Sequence, residues 1–153
     1  MVKLTKQKWI AVLIAVCALV SLCATNTFAL EKKEILVDQY LETFDNGSYA
    51  VVTVYQDANQ MRNGTISGHK DYSYYDGGLA WNFTVYGTFT SNGKCTAASY
   101  GVTVHNNVWY CASGRAWPDG NSASASGTMR RGTDNVEIYP SVTLYCSPNG
   151  SLS

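Results

Sequence analysis

The stretch Ala80–Thr90 most narrowly limits what this chain can fold into, because its side chains alternate between apolar and polar. Its two faces consist of Trp81, Phe83, Val85 and Phe89 on one side and of Asn82, Thr84, Thr88 and Thr90 on the other. Successive side chains of a β-strand point to opposite faces of the sheet. A period of two therefore predicts a strand with one buried side and one side facing water.

Six more segments have strand character and are separated by turn residues such as Asn-Gly and Asp-Gly. The predicted strands are 48–56, 69–75, 80–90, 94–105, 108–117, 122–131 and 136–146. Strands at this spacing predict an all-β fold, an antiparallel β-sandwich, with an immunoglobulin-like arrangement or a small barrel as variants. Pro140 lies inside the last strand and predicts an edge or a bulge, because proline cannot donate to the ladder.

Two further segments lie outside the predicted strands, a short loop at Asn106-Asn107 and the stretch that precedes residue 45. Asn106-Asn107 predicts a tight two-residue hairpin between the strands on either side of it. Residues 31–44 are ambiguous, because Leu36, Tyr40 and Phe44 recur at helical spacing although a strand could also begin here. We predict an irregular or helical lead-in over residues 30–44, followed by the sandwich domain over residues 45–153.

The first 29 residues have the three parts of a secretory signal peptide. Residues 1–8 carry three lysines and no acid, residues 9–24 are apolar apart from one serine, and Thr27-Phe28-Ala29 supplies small residues at the cleavage site. The apolar run is shorter than the ~20 residues that a membrane-spanning helix needs. We predict a signal helix over residues 1–29, cleavage after Ala29, and a secreted, extracellular protein.

The charge of the mature chain excludes some partners. Loss of Lys3, Lys6 and Lys8 with the signal peptide reduces the eleven basic residues to eight, against eleven acidic residues. Nucleic acids and anionic membranes both require a basic surface. We therefore predict that the mature domain binds neither nucleic acid nor, after signal cleavage, a membrane.

No set of residues predicts catalysis or a cofactor. A metal site needs three or four converging ligands, and His69 and His105 are the only histidines in the chain. A nucleophilic pair of Cys111 and His105 would require that the two side chains be adjacent and that a third group orient the base. The acidic residues show no spacing that singles out a pair, so we predict a non-enzymatic protein without a metal or cofactor.

Aromatic residues are the one enrichment that suggests a binding surface. Trp81 and Trp109 fall on predicted buried faces, but the eleven tyrosines are too many to hide. Exposed tyrosines of a sheet either pack against their cross-strand neighbours or form a platform that stacks on sugar rings or on an apolar patch of a partner. The candidate aromatic surface consists of Tyr72, Tyr74, Tyr86 and Tyr110.

Three stretches together resemble an uncharacterised family of small secreted proteins of Gram-positive bacteria, a domain of unknown function. They are 79–90 (LAWNFTVYGTFT), 92–96 (NGKCT) and 142–153 (VTLYCSPNGSLS). The resemblance covers roughly residues 44–153 and implies a signal peptide, a β-sandwich and a cysteine pair placed like Cys95 and Cys146. It implies no activity, and Cys111 departs from the family pattern.

The mature chain keeps three cysteines, so one bridge and one free thiol are expected. The alternation of the strands puts Cys111 and Cys146 on inward faces and favours that pair. The family resemblance favours a disulfide between Cys95 and Cys146. Cys146 takes part in either pairing.

These observations predict a secreted β-sandwich that acts as a binding or interaction module at the cell envelope, with a cell-wall glycan or an envelope protein as its partner. The alternative is a secreted effector that resembles a bacteriocin or a toxin. Small size and export are the features that motivate this alternative.

Overall fold

The computed structural model describes residues 33–58 and 64–153, and within them the fold is all-β. The predicted signal helix and its cleavage site lie outside these residues. The strands are β1 (Glu34–Thr43), β2 (Tyr49–Asp57), β3 (Thr65–Tyr75), β4 (Leu79–Thr90), β5 (Cys95–Val104), β6 (Trp109–Asp119), β7 (Ser122–Arg131), β8 (Glu137–Ile138) and β9 (Ser141–Tyr145).

The strands form two antiparallel sheets, which confirms the predicted β-sandwich. The first sheet has five strands in the order β1-β2-β3-β4-β5. The second has four strands, in which β7 pairs with β6 on one side and with both β8 and β9 on the other. Contacts between the sheets join β3, β4 and β5 to β6, β7 and β9.

The core lies between the sheets and is built around β4, as the alternation of its side chains predicts. Its apolar residues Trp81, Phe83, Val85 and Phe89 are all 0 % exposed. They belong to one cluster with Met129 of β7 and Leu144 of β9. Removing this apolar surface from water is the main stabilising contribution to the fold.

Residues 34–43 form strand β1, so the predicted irregular or helical lead-in is wrong for this part of the chain. β1 pairs antiparallel with β2, and a bulge lies between Leu36 and Asp38. The bulge puts Leu36 opposite Tyr55 and Tyr40 opposite Val52, on different faces of the sheet. Backbone hydrogen bonds to β2 therefore stabilise this segment more than a helix would, because the apolar residues at helical spacing have no surface to pack against.

Asn106-Asn107 does not close a hairpin, and the predicted pairing of the strands on either side of it is wrong. β5 pairs with β4, and β6 pairs with β7, so residues 105–108 cross from one sheet to the other. A type I′ turn needs two residues with positive φ. Asn135 is the only non-glycine residue with positive φ in the described ranges. The amides of His105 and Asn106 donate instead to the carbonyl of Ala80.

Pro140 lies between β8 and β9, which pair only with β7 and so form an edge of the second sheet. This confirms the edge position that the proline predicts. Pro140 itself accepts a backbone hydrogen bond from Gly127. The ladder on β7 is interrupted at residues 139 and 140, and the second sheet consequently ends in a broken edge.

Candidate binding site

An open groove follows from the unequal size of the two sheets. The inner face of β3 carries Lys70, Tyr72 and Tyr74, opposite Val85, Phe83 and Trp81 of β4. The second sheet packs on β3, β4 and β5, while β1 and β2 extend beyond its edge at β8 and β9. The inner face of this overhang and the broken edge of the second sheet therefore face each other across a gap.

The first part of the gap is a cavity of about 420 Å³. Its aromatic residues are Tyr40, Tyr72, Tyr139 and Tyr145. Its remaining lining consists of Glu42, Val52, Lys70, Pro140, Ser141, Val142 and Thr143. The first cavity is therefore lined by aromatic rings, by hydroxyl groups, and by one acidic and one basic side chain.

The second part is also a cavity of about 420 Å³, and it shares Tyr139 with the first. It is lined by Phe44, Asn46, Ser48, Tyr74, Trp109, Arg131, Val136, Glu137, Ile138 and Tyr139. Tyr72 and Tyr74, successive inward residues of β3, lie in the first and second cavities respectively. We call the two adjoining cavities the tyrosine groove.

Tyr139 is the most exposed aromatic residue of the groove, with 68 % of its surface accessible. Its hydroxyl donates a hydrogen bond to Glu137, which also accepts a 2.8 Å hydrogen bond from Nε of Arg130. The hydrogen bond from Tyr139 and then that from Arg130 lower the pKa of the Glu137 carboxyl, so it is ionised at neutral pH. An ionised acceptor holds the Tyr139 ring in place while leaving its surface open.

A second polar group lies on the floor of the first cavity. Nζ of Lys70 lies 5.7 Å from the centre of the Tyr40 ring. Burial lowers the pKa of Lys70, against the charges of Asp38 and Glu42, which raise it. Burial, followed by the charge of Glu42 and a hydrogen bond to it, raises the pKa of the Tyr72 phenol. Glu42 thus interacts electrostatically with both Lys70 and Tyr72.

Arg131 supplies the positive charge of the second cavity. Its guanidinium lies over the Trp109 ring, 5.4 Å from the ring centre. Two hydrogen bonds of 2.9 and 2.8 Å connect it to the carboxylate of Asp134, and a further one connects it to Asp76. The cation is thereby fixed on both sides by acids of the protein itself.

The four tyrosines of the predicted aromatic surface do not lie together. Tyr72 and Tyr74 both line the groove, but Tyr74 is only 3 % exposed and packs in the core against Trp81, so it does not belong to an exposed platform. Tyr86 projects from the opposite face of the five-stranded sheet, where it packs beside His69. Tyr110 is 44 % exposed on β6. Tyrosines that are alike in the sequence therefore lie on different faces of the sandwich.

The groove contains three tyrosines outside the predicted set, Tyr40, Tyr139 and Tyr145. The sequence does not single out Tyr40, because the spacing of apolar residues in its segment predicts a lead-in rather than a strand. Tyr139 directly precedes Pro140. The edge position that the proline predicts is a signal that could have singled out Tyr139 as an exposed ring.

The histidines lie apart from the groove. His69 is 8 % exposed and stacks on Tyr55, with ring centres 4.9 Å apart. Its Nε2 lies 3.6 Å from a carboxylate oxygen of Asp71. His105 is exposed in the connection between the sheets. No group of three or more His, Cys, Asp or Glu side chains in residues 33–58 and 64–153 is placed to hold a metal ion.

The three cysteines of the sandwich are free thiols in this structure. Cys95 and Cys146 are both buried and flank the turn between β6 and β7, since their amides donate to the neighbouring carbonyls of Gly120 and Asn121. Burial raises the pKa of both thiols, and proximity to Cys95 further raises that of Cys146. Cys111 is partly exposed and lies opposite Met129 of β7. The disulfide between Cys95 and Cys146 stays a prediction, and its two residues lie close together.

Comparisons of the chain with protein-family models, with curated proteins and with solved structures find no match. The resemblance to the secreted family stays a prediction. Within the described part of the chain, no helix is long and apolar enough to cross a membrane.

Proposed function

We propose that the domain is a secreted, non-enzymatic module that binds a glycan of the cell envelope in the tyrosine groove. Tyr139 is the observation that carries this proposal. Its ring is open to solvent at the point where the two cavities meet, and its hydroxyl is held by Glu137. A sugar ring presents an apolar C–H face that packs on an aromatic ring, and a ring that is already fixed loses little entropy on binding.

The rest of the groove supports the same ligand. Tyr40, Tyr72 and Tyr145 add aromatic surface to the first cavity, and Ser141 and Thr143 add hydroxyl groups. Aromatic rings with a few placed polar groups are a usual lining of a small-molecule or oligosaccharide site. The adjoining cavities favour a ligand of several linked sugars over a single one.

The test is binding of the purified mature domain to isolated cell walls and to a glycan array, with Tyr139→Ala as the variant. We expect Tyr139→Ala to weaken binding about tenfold, which corresponds to loss of ~1.4 kcal/mol. Tyr86→Ala is the matched control, because Tyr86 is 42 % exposed on the opposite face of the five-stranded sheet. It should bind as the unmodified protein does.

Two results would overturn the proposal. One is that the domain binds no glycan and no cell-wall fraction. The other is that Tyr139→Ala and Tyr86→Ala weaken binding equally although both variants stay folded by circular dichroism. Binding to a purified envelope protein without any glycan would assign the groove to a protein partner instead.

A further inference from the structure

The charges of the tyrosine groove bear on which glycan it accepts. Two cations, Lys70 and Arg131, and two carboxylates, Glu42 and Glu137, line the two cavities. Their numbers are equal, so the lining itself has no excess charge of either sign. A site for an anionic polymer would instead present cations in excess of its acids.

Each of the two lining cations already has acidic partners within the protein. Lys70 interacts with Asp38 and Glu42, and Arg131 interacts with Asp76 and Asp134. An anionic ligand would have to compete with these carboxylates. It would also approach more acids than cations. Lys70, Arg130 and Arg131 are the three cations, and their acidic partners are the five carboxylates of Asp38, Glu42, Asp76, Asp134 and Glu137.

Given that the groove binds a glycan as proposed above, we propose that it selects an uncharged glycan chain and rejects anionic polymers such as polyuronates and polyol phosphates. Hydroxyl and acetamido groups can donate to Glu42 and accept from Lys70 without disturbing the internal ion pairs. A carboxylate or phosphate placed near Glu42 or Glu137 would meet like charge in a partly desolvated site. Selectivity thus arises from a repulsive element as well as from stacking on Tyr139.

The test is a titration of the mature domain with three soluble ligands of matched length, monitored by calorimetry at low and high salt. The ligands are an N-acetylglucosamine oligomer, a polyuronate oligomer and a glycerol phosphate oligomer. We expect the uncharged oligomer to bind at least about tenfold more tightly than either anion, with an affinity that salt does not change.

A double variant tests the electrostatic origin of this selectivity. Asp38→Asn together with Asp134→Asn removes one acidic partner from each cation, and neither aspartate lines the groove. We expect the double variant to gain roughly two- to five-fold per charge in affinity for the anionic oligomers. Its affinity for the uncharged oligomer should stay the same. No gain for the anions would show that the acids do not set the selectivity.

The outcomes separate this inference from the proposed function. Tight, salt-sensitive binding of an anionic oligomer, lost in Tyr139→Ala, would overturn the inference and keep the groove as a glycan site. Failure of all three oligomers and of the glycan array would overturn both.

Discussion

At the scale of single residues, chemically identical side chains have different roles because their neighbours differ. Tyr74 is buried against Trp81 and contributes to the core. Tyr139 lies at the sheet edge with an open ring, and its hydroxyl donates to Glu137. Tyr72 lies between these two cases, half-buried beside Glu42. Under the proposed function, Tyr139 is the main stacking residue because its hydroxyl has a partner and its ring is open.

Tyr72 predicts an alkaline dependence of stability. Its phenol has an ordinary pKa of 10.0 in the unfolded chain, and burial beside Glu42 raises the pKa in the folded state. Above pH 10 the unfolded state loses this proton first, so the free energy of unfolding falls as the pH rises. We expect Tyr72→Phe to show a shallower fall above pH 10 than the unmodified protein.

The measurement is urea unfolding at a series of pH values from neutral to strongly alkaline. Loss of the hydrogen bond to Glu42 lowers the stability of Tyr72→Phe at every pH, so the slopes are compared rather than the absolute values. Lys70 contributes with the opposite sign, because burial lowers its pKa. Identical slopes above pH 10 would contradict the assignment of Tyr72 to a buried, acid-flanked position.

At the scale of strands, pairing partners decide what each segment becomes. Residues 34–43 form a strand because their backbone groups pair antiparallel with those of β2. β5 and β6 follow each other in sequence but lie in different sheets. The crossing at residues 105–108 brings Trp109 into the core, where it is 3 % exposed. It also places Cys111 opposite Met129 of β7.

The same arrangement predicts a covalent link between the sheets. Cys95 opens β5 of the five-stranded sheet, and Cys146 follows β9 of the other. Both are buried and flank the turn between β6 and β7. We expect oxidised glutathione to take two hydrogens from this pair and leave Cys111 free. The bond should stabilise the fold by about 4 kcal/mol on the chain-entropy model.

Non-reducing peptide mapping identifies the pair, and melting with and without reductant measures its effect. Cys111→Ser is the control and should keep the full difference between the reduced and oxidised forms. Cys95→Ser should abolish that difference. A bridge that contains Cys111 would show that the β6 register in solution differs from the one described above.

For the sandwich as a whole, the partial overlap of a five-stranded and a four-stranded sheet accounts for both the core and the groove. The region where the sheets overlap holds the apolar cluster around β4. The region where they do not overlap leaves the inner faces of β1 and β2 beside a broken edge. The groove therefore does not depend on a long loop. Its floor is formed by β3, which is hydrogen-bonded to β2 on one side and to β4 on the other.

Phe83 tests whether the two sheets fold as one unit. It is 0 % exposed, and its ring lies 5.7 Å from that of Tyr100 on β5. A methyl group added at Gly127 of β7 would lie 2.6 Å from Cε2 of Phe83. We expect Phe83→Ala to lower the free energy of unfolding by about 3–5 kcal/mol.

Tryptophan fluorescence and far-ultraviolet circular dichroism should show coincident transitions in Phe83→Ala. Thr103→Ala is a suitable control, because Thr103 is an exposed residue of β5. It should change stability by less than about 0.5 kcal/mol. Separate transitions in the two signals would mean that the sheets unfold independently.

The strand-forming character of residues 48–146 and the inward face of β4 can be predicted from the amino-acid sequence alone. Both follow from local alternation and turn residues, whose effects do not depend on distant parts of the chain. Pro140 likewise predicts an edge or a bulge, because a proline lacks the donor that an inner strand needs, and the structure has it at an edge.

Strand pairing and the position of the groove depend instead on long-range packing. Local pattern does not specify which strand pairs with which, and for this reason the predicted lead-in over β1 and the predicted hairpin between β5 and β6 are wrong. It also grouped Tyr72, Tyr74, Tyr86 and Tyr110, whose faces diverge once the sheets are stacked. The tyrosine groove exists only where the overhang of β1 and β2 meets the edge at Tyr139. Its residues come from strands far apart in sequence, and long-range packing alone brings them together.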